Sequence, residues 1–263
     1  MEIHTHTQRK KWIHYFWEFF MLFLAVTAGF FVENMREHSN DNKRAKELAQ
    51  GLYYELQTDS SRVKEVISFR VNRDTSLTYL KKYFEDSSLV HPSAKFYTEF
   101  INGVYGILSS VFEPKDVILN QLTNSGSLHY FKNKELQNAL AELSLAINYI
   151  RQRNTREMGY FNAYNVPFLI DHLDTEWLDE VTDNGKIPID SALKLVRENN
   201  VIQMPVFYNY NEFQKVKAIN WIGYGQLIQR YTIKKYFKPY TETNAKILKL
   251  LREEYYIKSD SAD

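Results

Sequence analysis

Trp12-Ile-His-Tyr-Phe-Trp-Glu-Phe-Phe-Met-Leu-Phe-Leu-Ala-Val-Thr-Ala-Gly-Phe-Phe-Val32 is a run of 21 residues with one formal charge, Glu18. As a helix it covers about 30 Å, the thickness of a bilayer's hydrocarbon core. It reads as one transmembrane helix, which makes the rest of the chain a domain tethered on one side of a membrane. Two other readings compete. Arg9-Lys10-Lys11 and the small residues near Ala28 fit a cleaved signal peptide, but the apolar run continues through Phe30, Phe31 and Val32. A buried core helix rarely runs this long on one charge.

The flanks bear on orientation. Arg9, Lys10 and Lys11 crowd the start of the span, and only Arg36 lies within ten residues of its end. The denser basic flank favours a cytoplasmic N-terminus and, in a bacterial cell, a periplasmic domain at the inner membrane. Trp12, Tyr15 and Trp17 sit toward the basic end, where an interfacial aromatic belt belongs.

Glu18 is the most informative single residue. An ionisable group in hydrocarbon costs about 2.5–3.5 kcal/mol, so it either snorkels, is protonated, or meets a polar partner on another membrane helix. Ala25, Ala28 and Gly29 form a small-residue face that permits close helix packing. These four are the candidate partner-binding residues within the membrane.

Composition narrows the rest. The 263 residues include 19 Tyr, 17 Phe and 4 Trp, but only 9 Gly and 6 Pro, so turns are few and elements long. This favours an all-α fold. The net charge of +1 gives no global field toward nucleic acid. The absence of cysteine excludes disulfides, thiolate metal sites and cysteine catalysis.

The expected organisation is a short cytoplasmic tail (1–11), the span (12–32), a hinge (33–42) around Ser39-Asn40-Asp41-Asn42, a helical bundle (43–257) and a frayed tail (258–263). Leu48, Leu52, Leu56, Val63, Ile67, Val71, Leu77, Leu80 and Phe84 give a helical stripe over about 43–85. A second helical region spans about 94–110. Glu113-Pro114-Lys115-Asp116 restarts a helix with Pro in its first turn, and Gly126 ends it. Asn133 caps a helix whose Leu136, Leu140, Leu143, Ile147 and Ile150 step like a coiled-coil seam. Pro167 interrupts that helix. Residues 171–210 are irregular, with turns at Asp183-Asn184-Gly185 and Ile187-Pro188 and a short helix at 191–199 capped by Asp190. A last element, about 210–257, is kinked or split by Pro239. Four long amphipathic segments make a long-helix antiparallel bundle, within one chain or between chains.

No catalytic motif stands out, and neither catalytic residues, a cofactor nor a metal is expected. His4 and His6 on the tail form at best a two-ligand site. His172 with Asp171 and Asp174 reads as a solvated loop. Gly223-Tyr224-Gly225 follows no strand, so it is no dinucleotide fingerprint. An aromatic group, Tyr160, Phe161, Tyr164, Tyr208, Trp221 and Tyr224, either fills the bundle core or lines a pocket or partner surface.

Lys11 to Val26 resembles the N-terminal signature of an uncharacterised Bacteroidota family of single-span membrane-anchored helical proteins. Leu122-Thr-Asn-Ser-Gly-Ser-Leu128, the helix opening at Asn133, and Leu251-Arg-Glu-Glu-Tyr255 are similar to that family too. The resemblance implies an inner-membrane anchor with a periplasmic helical domain. It implies no activity and assigns no functional residue.

The expected function is a non-enzymatic, membrane-anchored scaffold or accessory subunit. Its partners are membrane lipid and another inner-membrane protein or a second copy, not nucleic acid. The alternative is a periplasmic ligand sensor with its pocket in 160–224; its short tail holds no output domain, so it needs a membrane partner to signal.

Overall fold

The computed structural model describes residues 12–90, 92–199, 207–209 and 214–257. The expected tails at 1–11 and 258–263, with His4 and His6, lie outside these residues. The described chain is all-α, with no strand. Helix α1 (Trp12–Asp86) runs 75 residues without a break, about 110 Å at helical rise. The hinge expected at 33–42 is therefore helix. The polar Ser39-Asn40-Asp41-Asn42 is flanked by strong helix formers, and neither Gly nor Pro falls between Gly29 and Gly51, so nothing stops propagation. Residues 12–40 are exposed on all sides, and the bundle first covers α1 at Ala45.

From there the chain goes up, down, up and down. The first downward leg is not one helix. It comprises α2 (Ala94–Phe100), a π turn (Ile101–Tyr105), a 3-10 turn (Leu108–Ser110), extended chain and α3 (Val117–Asn124). Pro114 lies in the extended chain, because Glu55 and Asp59 of α1 accept the Ile118 and Lys115 N–H groups and fix the helix start three residues later than expected. Gly126 takes φ 70° just beyond α3, as its position predicts.

Helix α4 (Lys134–Tyr160) rises parallel to α1, and Asn133 caps it by accepting the Glu135 and Leu136 N–H groups. Pro167 does not break the rod. A π turn at Phe161–Asn165 leads into α5 (Val166–His172) with the proline at the start of the new helix, where its missing N–H is harmless. The far end is closed by α6 (Thr175–Val181) and α7 (Ile189–Asn199), so Asp190 lies inside its helix rather than capping it. The described part of the last leg begins at α8 (Lys215–Thr232); the expected helical positions Tyr210 and Phe213 lie outside the described residues. It passes Pro239 by the same device, a π turn at Ile233–Phe237 feeding α9 (Lys238–Tyr255).

Two apolar cores result. The proximal one, nearer the candidate span, gathers Leu52, Leu56, Leu136, Leu140, Leu143, Ile147, Ile247 and Leu251 with Phe112 and Phe131. The distal one is aromatic: Phe84, Phe96, Tyr97, Phe100, Phe161, Trp177 and Phe207. Between them α1 buries charge. Val71, expected in the stripe, is 54% exposed, whereas Arg70 is 0% and Arg73 4% exposed.

Candidate functional site

The membrane face is set by the phase of α1. Glu18, Ala25, Ala28 and Gly29 share one side of the helix, and Trp12, Phe16, Phe19, Phe23 and Phe30 the other. Twenty residues separate Ala25 from Ala45, the first core residue, so at about 100° per residue the two are about 160° apart around the axis. Because α1 is unbroken, the small-residue face points away from the bundle. A Cβ added at Gly29 would meet nothing within 4 Å. Glu18 lies 3.1 Å from His14 Nε2, one turn below on the same helix. The sequence reading offered a partner on another helix and missed this neighbour.

The aromatic group divides. Tyr160 donates to the Trp221 carbonyl at 2.8 Å, and its ring lies 5.1 Å from that of Tyr164 and 5.5 Å from that of Tyr224. A Cβ added at Gly225 would stand 3.7 Å from the Tyr160 hydroxyl, an ordinary contact. Tyr164 and Tyr224 are both 57% exposed. Trp221 packs on Phe168 at 4.4 Å and donates to Asn165 Oδ1 at 3.2 Å. Phe161 faces inward, 5% exposed, in the distal core. Tyr208 belongs elsewhere: its backbone N–H donates to the His172 carbonyl, and its own carbonyl is 2.7 Å from His172 Nδ1. Tyr160, Tyr164 and Tyr224 thus stand ring beside ring, with Tyr164 and Tyr224 open to solvent. His172 is not solvated loop either; its ring stacks on Phe207 at 4.9 Å.

The part that sequence reasoning missed is the ionic layer between the two cores. Arg70 grips Glu157 through both terminal nitrogens, at 3.3 and 2.8 Å, and donates from Nε to the Ser110 carbonyl. Arg153 Nε donates to Glu157 and to Thr232 Oγ1, and the Thr232 hydroxyl itself donates to Glu157. Burial pushes the Glu157 carboxyl up, but the Arg70 charge and hydrogen bonds, with Thr232 and Arg153, outweigh it and hold the carboxyl below its usual range. Arg73 donates to the Gly103 carbonyl and to Gln229 Oε1, both at 2.8 Å. Gln229 passes the bond on to Asp74, which Arg230 clamps at 2.6 Å. Burial, then the Arg70 charge, lowers Arg73 to about 10.

All three π turns border this layer. A π turn ends in carbonyls without helical partners. Arg73 takes Gly103 in the first turn and Asn165, itself in the second, takes Val104 at 2.8 Å. Thr232 stands at the start of the third. A signal for the layer was present in the sequence: Val63, Val66, Arg70, Arg73, Leu77, Leu80 and Phe84 continue the buried stripe at three- and four-residue steps.

Among the described residues, no three His, Asp or Glu side chains come close enough to hold a metal ion. No protein family, no curated protein and no solved structure matches this chain.

Proposed function

We propose that the protein is a membrane-anchored, non-enzymatic scaffold or accessory subunit of an inner-membrane complex, with its N-terminus cytoplasmic and its bundle periplasmic. One observation carries the reading. The only candidate span among the described residues continues without a break into the bundle, and its Glu18–Ala25–Ala28–Gly29 face points away from that bundle. A membrane helix can dock there without colliding with the domain above it. The aromatic face of the span is left for lipid. Supporting this, a polar carboxylate and three small residues favour helix–helix contact over lipid. The sensor alternative asks for a pocket in 160–224, where the rings close on one another instead.

The test is to extract the full-length protein from native membranes in mild detergent and crosslink it. The expected result is a stoichiometric membrane partner, lost when Glu18 is replaced by Leu. Equal recovery of the complex with Glu18→Leu would overturn the docking face.

A further inference from the structure

Charge is unevenly distributed along this nearly neutral chain. Residues 148–165 and 215–238 together hold nine basic side chains and one acidic one, Glu157. The acidic residue is 1% exposed and already engaged by Arg70 and Arg153. These two segments are the upper part of α4 with its π turn, and α8 with its π turn, packed antiparallel. Arg151 is neutralised by Glu113 and Asp116, Arg230 by Asp74, and Lys238 lies 3.8 Å from Glu242. Lys215 donates to the Ser87 carbonyl, and Arg156, Lys217, Lys234 and Lys235 are exposed and have no carboxylate partner among the described residues.

These cations share a face with exposed rings. On α4, Tyr149, Arg153, Arg156, Tyr160 and Tyr164 follow at three- and four-residue steps. On α8 and its π turn, Lys217 is followed seven residues later by Tyr224, and then Leu227, Tyr231 and Lys234 continue at three- and four-residue steps within one helical stripe. The two rails touch. Tyr160 meets Tyr224 at 5.5 Å, and the Arg153 guanidinium lies 5.9 Å from the Tyr231 ring and 5.6 Å from the Tyr236 ring. Leu227 is 64% and Tyr231 52% exposed, so a row of apolar side chains stands open between the charges.

From this charge complementarity we infer that the α4–α8 face is a docking surface for an acidic segment of a partner protein. The inference rests on the accessory-subunit reading and gives its soluble side a chemistry. Exposed Tyr and Arg in contact are the residues that carry protein–protein binding energy. Four open cations are too few for the run of phosphate contacts that nucleic acid demands. The face lies level with Arg70 and Asp74, roughly 57–63 Å along α1 from Val32, well beyond the reach of lipid headgroups.

The experiment uses full-length protein in detergent and a fluorescent polyglutamate peptide, read by anisotropy. Saturable binding that weakens with added salt is expected. Arg156→Glu, Lys234→Glu and Lys235→Glu combined should weaken it about tenfold or more. A control with the same change in net charge, Lys64→Glu, Lys82→Glu and Lys194→Glu, should bind like the wild type. Tyr224→Ala with Leu227→Ala should also weaken binding, and Glu18→Leu should leave it unchanged, so this result and the membrane result fail separately. No saturable binding, equal loss in the control, or tighter binding of a single-stranded oligonucleotide or of anionic vesicles would overturn the proposal.

Discussion

The two halves of the bundle solve the same packing problem with different materials. Nearer the candidate span, long helices bury a repeating aliphatic seam, and Leu136, Leu140, Leu143, Ile147 and Ile150 each stand at 2% exposure or less. Farther out, the helices shorten and the core becomes a lattice of rings: Phe96 alone contacts Tyr83, Phe84, Tyr97, Phe100 and Phe207. Large flat side chains fill space between short elements such as α2, α5 and α6, where a heptad-like seam has no length to develop. The ionic layer stands where one regime gives way to the other. Its value is register: Arg70 meets Glu157 well at only one offset between α1 and α4.

The comparison breaks most severely at that layer. Glu157→Leu leaves Arg70 and Arg153 facing each other without a counter-charge, and should cost about 3–5 kcal/mol in chemical denaturation of the full-length protein. Next, Phe96→Ala in the distal core should cost about 3–5 kcal/mol and Leu140→Ala in the proximal core about 2–5 kcal/mol. Hydrogen exchange read after each change should show protection lost first in the half that was altered. Uniform loss in both cases would mean that the layer joins the halves rather than dividing them.

A smaller effect is expected at Gly106, which follows the first π turn. An added Cβ would stand 2.1 Å from the Asn102 carbonyl oxygen, so Gly106→Ala should cost about 1–3 kcal/mol through forced backbone movement. The smallest concerns the proximal half alone. Burial raises the carboxyls of both Glu55 and Asp59. Each binds its proton more readily folded than unfolded, so the contribution of these two groups to stability should decline as pH rises from about 4 upward, against the opposite contribution of Glu157. Asp59→Asn keeps the acceptor for Lys115 N–H and the Tyr240 hydroxyl and replaces the unpartnered Asp59 Oδ1. It should flatten that decline and gain about 1 kcal/mol or less at neutral pH.

The same comparison explains what the sequence could show. Periodicity located α4 and the proximal seam, because aliphatic residues at helical spacing have few other uses, and the candidate span was legible as an apolar run of 21 residues with one charge. It failed at Val71, because a stripe traced by apolar residues alone slides past Arg70 and Arg73, whose burial depends on partners 87 and 156 positions away. The prolines were read as breaks, since local rules do not foresee a π turn that shifts the ladder before Pro167 and Pro239. Of the six aromatic candidates, Tyr160, Tyr164 and Tyr224 came together as a surface beside Trp221. Phe161 and Tyr208 did not join them, because a ring's direction depends on which helix lies opposite.

Helix α1 remains unbroken from Trp12 to Asp86. Membrane and bundle are therefore torsionally locked, as by a drive shaft. A rotation of the candidate span about its axis turns the whole bundle by the same angle. One residue inserted into the bare stretch between Val32 and Ala45 would swing the α4–α8 face by about 100° while lifting it only about 1.5 Å. Which neighbours the bundle can reach is thus set by the azimuth of the candidate span.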